Sequence, residues 1–250
     1  MLDHLIGGIC KCAPASALLV RPVAVNNRHQ ASLRVIWLAL AALSFSACSA
    51  TLSEPSREHV AATVHEPAGA ALVERLRKGG LVLFFRHADT RGMPCDRSFR
   101  IGDRQGQRNI SPEGREQSKR IGVALHELRI PFTLPVLAGP VFRARDTAEL
   151  AFTPSNVRVT DSLLADDYAG GRLGWVLDEH RRLFSEPVAS GTNRVLVGHR
   201  TPAILVLGSS VGGKAFPEGA ALVIEPGERS PRVLGIIMLA PIDGGGFHGC

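Results

Sequence analysis

Leu81-Val82-Leu83-Phe84-Phe85-Arg86-His87-Ala88 is the stretch that decides the fold. Five apolar residues run without interruption and end on an arginine and a histidine. An unbroken apolar run of this length suits a strand buried on both faces, which is the habit of parallel sheets flanked by helices. A second stretch repeats the grammar: Val195-Leu196-Val197-Gly198-His199. Ligands of open α/β sheets sit beyond the carboxyl ends of the strands, where strand order reverses. If the two strands are neighbours, His87 and His199 meet there with Arg86 beside them, and two imidazoles with a guanidinium make an anion site.

Working outward, the rest of the chain alternates helix and strand, the pattern of a three-layer α/β/α sandwich around a mostly parallel sheet. Ala70 to Lys78 reads as a helix closed by Gly79-Gly80. Ser111-Pro112 is a helix start, with serine as N-cap and proline at the first helical position. Ile121, Leu125 and Leu128 give that helix its buried stripe. Strands are expected at Pro135–Ala138 and Val157–Val159, and helices at Phe142–Phe152 and Trp175–Phe184. Ala221–Ile224 and Arg232–Leu239 read as a closing hairpin around Pro226-Gly227-Glu228.

Four segments together resemble the histidine phosphatase superfamily, also called the phosphoglycerate mutase-like fold. Arg86-His87-Ala88 is similar to its Arg-His-Gly signature, with alanine for glycine. Arg108-Asn109-Ile110-Ser111-Pro112-Glu113-Gly114-Arg115-Glu116-Gln117 is similar to its Arg-x-Leu-Ser/Thr-x-x-Gly-x-x-Gln segment. Gly139-Pro140-Val141-Phe142-Arg143-Ala144-Arg145-Asp146-Thr147-Ala148 is similar to its Ser-Pro-x-x-Arg-Ala-x-x-Thr-Ala segment, with Gly139 in place of serine. Val197-Gly198-His199 is similar to the segment carrying its second histidine. The resemblance covers about residues 78 to 240, without the long insertion that caps the site in larger relatives.

The resemblance implies a role for each matched residue. His87 is the nucleophile, forming a phosphohistidine that water hydrolyses. Arg86 and Arg143 hold the phosphoryl oxygens through forked donors that lysine would not reproduce. His199 donates to the same oxygens in its protonated form, and Arg108 or Asn109 adds a contact. No cofactor and no metal are implied, since neutral imidazole is already a competent nucleophile. A general acid must protonate the leaving alkoxide. Asp166, in Leu164-Ala165-Asp166-Asp167-Tyr168, falls where the family places a glutamate. Glu218, in Phe216-Pro217-Glu218-Gly219-Ala220, is the rival, and Asp167 is third. His59, His65, His126, His180 and His248 are expected to lie on the surface, in the tether or in the tail.

Composition agrees with one enzyme-sized core. The chain has 250 residues, 45% of them hydrophobic, and a net charge of +6. The first 48 residues contribute +3 and the remainder +3. No lysine/arginine block with interleaved aromatics marks a nucleic-acid surface, and no His/Cys/Asp spacing resembles a zinc site. Nothing in the pattern sets an oligomeric state.

Arg34 precedes the apolar run Val35–Leu43, followed by Ser44-Phe45-Ser46-Ala47-Cys48. A basic flank, a short apolar run and small residues read as a secretory signal, and the run is short for a membrane span. Ser46-Ala47-Cys48 resembles the end of a bacterial lipobox, which makes Cys48 a lipid-anchor candidate. Plain cleavage nearby is the alternative, because Phe45 stands where leucine is preferred. Residues 1–48 are thus expected as an N-terminal extension and signal, 49–68 as a tether, and 69–250 as the folded domain. The protein is expected in the periplasm, free or as a membrane-anchored lipoprotein. That compartment permits a disulfide between Cys95 and Cys250, with free thiols as the alternative. The partner implied is a small phosphorylated substrate or an envelope phosphomonoester. Two further functions stay open: a phospho-ligand binding protein without turnover, and a phosphomutase.

Overall fold

The computed structural model describes residues 58–227 and 230–248. The expected signal region, the first part of the tether and Cys250 lie outside them. Among the described residues no helix is long and apolar enough to cross a membrane.

One mixed sheet organises the domain. Its strands are β1 (Ala61–Thr63), β2 (Val82–Arg86), β3 (Val136–Ala138), β4 (Val157–Val159), β5 (Arg194–Gly198), β6 (Ala221–Glu225) and β7 (Arg232–Met238). Their order is β1-β7-β6-β2-β5-β3-β4. β5 pairs in parallel with both β2 and β3, β3 with β4, and β1 with β7. The β6–β7 hairpin supplies the antiparallel pairs and sets β6 against β2.

The expected neighbourhood of the two histidine-bearing strands holds, and its register is informative. Arg86 pairs with Gly198. His87 and His199 therefore leave the sheet side by side, and the His87 backbone N–H donates to the Gly198 carbonyl at 3.0 Å.

Alternation along β2 builds both hydrophobic layers. Leu83 and Phe85 belong to a core with α1 (Pro67–Lys78), α2 (Pro112–Glu127) and α3 (Phe142–Phe152). Val82 and Phe84 belong to the other core, with α5 (Leu173–Ser185) and α6 (Arg200–Leu207); α4 is the short turn of helix Asp166–Ala169. This is a helix–sheet–helix sandwich. Phe84 is fully buried and meets Phe184 edge-on at 5.1 Å between ring centroids. Truncating such a ring to alanine typically costs about 3–5 kcal/mol.

Two expectations change. The tether does not extend to residue 68: Ala61–Thr63 forms the parallel edge strand on β7, and Pro67 opens α1. A three-residue strand carries too little periodicity to stand out in sequence. His180 is not a surface residue. It is fully buried on α5, its Nδ1 lies 2.8 Å from the Val176 carbonyl, and its ring packs on Phe84 and Phe184.

Candidate active site

The carboxyl ends of β2 and β5 open into a cavity of about 310 Å³. It is lined by His87 and His199, four arginines (Arg86, Arg108, Arg143, Arg200), and Asp96, Asp166, Asp167, Glu218 and His248. A more open cleft holding His59 and Glu225 brings together no second histidine.

His87 is buried, and its Nδ1 lies 2.9 Å from the Ala88 carbonyl oxygen. A carbonyl can only accept, so Nδ1 carries the proton and Nε2 keeps its lone pair. Burial holds the ring well below the ordinary histidine pKa, and the charges of Arg86 and Arg143 add to it. The turn is pinned in place: the Ala88 N–H donates to Thr147 Oγ1 at 2.9 Å, and that hydroxyl donates to the Arg143 carbonyl at 2.7 Å. The strand carrying His87 is thereby tied to the helix carrying Arg143.

His199 sits with its ring centroid 5.5 Å from that of His87. It too is held well below the ordinary value, by burial first and then by Arg143, His180 and Arg86. Its surroundings therefore favour the neutral ring over the protonated donor the resemblance implied; two guanidiniums beside a buried ring disfavour a further charge. Its Nε2 is buried without a hydrogen-bond partner among protein atoms.

Arg86 and Arg143 both line the cavity as expected. Arg86 donates to the Phe216 carbonyl at 2.9 Å and to Glu218 Oε1 at 3.1 Å. Burial lowers its pKa to about 10, which leaves it cationic at neutral pH. Arg143 donates from Nη1 to both oxygens of Asp96, each at 3.2 Å. Asp96 also takes the Arg108 backbone N–H and the Tyr168 hydroxyl. Gly139, where the family segment has serine, packs directly under this helix start. A Cβ there would come within 2.3 Å of the Leu163 carbonyl oxygen.

Arg108 reaches the cavity and donates to the His248 carbonyl at 2.9 Å. Asn109 does not line it. Its amide donates to the Arg104 and Gln107 carbonyls and its oxygen accepts from Arg104, so it shapes the loop rather than the anion site. Arg104 itself clamps Asp146 with two bonds of 2.6 and 2.8 Å.

The carboxylates separate by environment. Glu218 Oε1 accepts from Arg86 and the Thr90 hydroxyl, and Oε2 from the Thr90 N–H and from His248 Nδ1. With both oxygens taken by donors, it lacks the free O–H direction a general acid needs, so it reads as an orienting group. Asp166 stands half-buried at the start of α4. Burial raises its pKa, and neighbouring Asp167 raises it further. Asp167 is exposed.

Asp96, Arg200 and His248 line the cavity but were not expected there. No motif contains them, and Asp96 and His248 arrive on a loop and on the carboxyl-terminal tail. Asp89, Glu218 and His248 form the metal-competent cluster among the described residues, their candidate ligand atoms lying within 4.8 Å of one another. Within the cluster, Glu218 Oε2 and His248 Nδ1 are engaged with each other at 2.9 Å. Cys95 is disulfide-bonded, and its expected partner Cys250 lies outside the described residues.

No family model matches this sequence, and no curated protein matches it. Among solved structures, the chain is similar to the protein histidine phosphatase SixA complexed with tungstate. That likeness has 17% identity, covers 64% of this chain and 97% of that one, and has a TM-score of 0.41. A mycobacterial glucosyl-3-phosphoglycerate phosphatase with VO3 matches at 20% identity, 62% and 97% coverage, and TM-score 0.42. A phosphoglycerate mutase from Thermus thermophilus matches at 21% identity, 62% and 97% coverage, and TM-score 0.39. Likenesses at these identities and TM-scores carry no argument about chemistry, which rests on the residues described above.

Proposed function

We propose that this protein hydrolyses phosphomonoesters through a phosphohistidine formed on His87. The observation that carries this reading is the placement of His87: its Nδ1 edge is held by the Ala88 carbonyl, in a cavity lined by arginines. Nε2 attacks phosphorus, the bond to the leaving oxygen breaks, and water later cleaves the phosphorus–nitrogen bond. Arg86 and Arg143 stabilise the charge on the equatorial oxygens, which is most of the catalytic task in phosphoryl transfer. A phosphate would take over part of Arg143 from Asp96. His199 contributes a hydrogen bond, and a bound dianion draws its pKa back upward.

Asp166 is the proposed general acid. Its raised pKa keeps a larger fraction protonated than an ordinary aspartate would hold, which favours turnover over mere binding. The residues that hold the phosphate are side chains of the protein, so the proposed chemistry requires no metal. The signal-like N-terminus supports an exported protein acting on a periplasmic or envelope phosphomonoester, with Cys48 as the anchor if the protein is lipidated. The absence of a long insertion in the sequence supports a substrate that need not be enclosed. A phosphatase assay over a panel of phosphomonoesters, with and without a chelator, tests this. Release of phosphate that survives chelation is expected, and activity abolished by chelator and restored by metal would refute the metal-free mechanism.

A further inference from the structure

We propose that His248 is a third imidazole of this site, a residue that contacts substrate, donating from its Nε2 edge to the oxygens of the bound phosphomonoester. The proposal rests on the phosphate-site reading above and extends it to a residue that no motif contains.

The first support is the way the tail is fixed. The Gly246 carbonyl accepts the Glu218 backbone N–H at 2.7 Å and Arg86 Nη1 at 3.3 Å. The Phe247 ring faces the guanidiniums of Arg86 at 5.2 Å and Arg200 at 5.7 Å. The His248 carbonyl accepts from Arg108. Residues 246–248 are thus bound to the same groups that build the anion pocket, and the tail forms one of its walls.

The second support is orientation. His248 Nδ1 lies 2.9 Å from Glu218 Oε2 and 3.5 Å from Asp89 Oδ1. A ring held at Nδ1 presents Nε2 from its opposite edge. That atom has no hydrogen-bond partner among the described residues, and the residue lines the cavity. A carboxylate holding one imidazole nitrogen so that the other faces a reacting group is a recurrent device of catalytic sites.

The third is charge balance. Glu218 and Asp89 are 3% and 1% exposed. Two carboxylates buried this closely need cations. Arg86 answers Glu218 directly. Asp89 Oδ1 is buried without a hydrogen-bond partner, and His248 Nδ1 is the ring nitrogen that lies against it.

Groups facing His248 are Asp89, Glu218, Arg86 and Arg108, with His87, His199, Asp166 and Asp167 also lining the cavity. Sulfate suits the test because its charge is fixed near neutral pH. Its affinity is measured by calorimetry at constant ionic strength and one pH, about 6, on the unsubstituted protein and on His248→Gln. The expected result is binding about tenfold weaker in His248→Gln. Equal affinity in the two proteins would overturn the proposal while leaving the phosphate site intact. If neither protein binds sulfate or phosphate, the phosphate-site reading falls and the inference falls with it. Should His248→Gln disturb folding, NMR of the unsubstituted protein decides: sulfate must shift the His248 ring resonances, and an unmoved ring overturns the proposal.

Discussion

At the scale of single residues, the site separates groups of similar chemistry by their surroundings. His87 and His199 are neutral through burial and adjacent guanidiniums, whereas Asp166 is pushed toward the protonated form. The directions set a pH profile. A nucleophile with a lowered pKa stays deprotonated as pH falls through about 6.5, the ordinary histidine value, so no acid-side loss is expected there. A general acid with a raised pKa loses activity as pH rises through that raised value. The rate on alkyl phosphates should therefore decline on the alkaline side, and the decline should vanish in Asp166→Asn. That variant should also slow an alkyl phosphate by about 10²–10⁴-fold while barely touching p-nitrophenyl phosphate, whose leaving group departs without a proton. Equal losses on both esters would make Asp166 a positioning residue. Arg86, His87 and His199 were legible in sequence because each stands at the end of an apolar strand run, and Arg143 through the resemblance of its segment to a known motif. Asp96 and His248 were not, because a loop and a tail reach the cavity only through the closed fold.

At the scale of elements, the start of α2 ties the fold to the site. Ser111 Oγ accepts from the Gly114 N–H at 2.9 Å and donates to Asp89 Oδ2 at 2.7 Å. The cap was readable from Ser-Pro alone, but its link to a buried carboxylate was not. Ser111→Ala should cost about 1–2 kcal/mol, measured as a lower denaturant midpoint with unchanged slope. A loss near zero would mean that the cap is dispensable. Helix α5 shows what periodicity cannot reveal. His180 falls among charged neighbours in sequence, yet the fold turns it into the core, where burial lowers its pKa to about 4. Between about pH 4 and 6.5 the unfolded chain binds this proton and the folded chain does not, so stability is full above that window and declines as pH falls through it. The contribution is of the order of 3 kcal/mol. His180→Leu should flatten that acid-side decline in thermal melts, and an unchanged pH dependence would show that other groups cause it. Elsewhere local signals sufficed: α3 occupies the residues expected of it, Phe142–Phe152.

At the scale of the whole molecule, one sheet joins segments distant in sequence, from β1 at Ala61–Thr63 to the hairpin strand β7 on which it pairs. The α/β class was legible because β2 and β5 are long apolar runs; the edge strand β1 was hidden by its brevity. The proposed export predicts that mass spectrometry of the mature protein finds residues 1–47 removed, with a diacylglyceryl group on Cys48 if it is lipidated. An intact peptide containing Trp37 on folded cytoplasmic protein would contradict export. The central claim is that His87 carries the phosphoryl group between substrate and water. It is tested most directly by rapid quenching of turnover on a labelled phosphomonoester and mapping of the label. The account predicts label on His87 that survives alkali and is lost in acid, and no label or turnover in a folded His87→Ala variant. An acid-stable label, a label on another residue, or full activity in His87→Ala would contradict it.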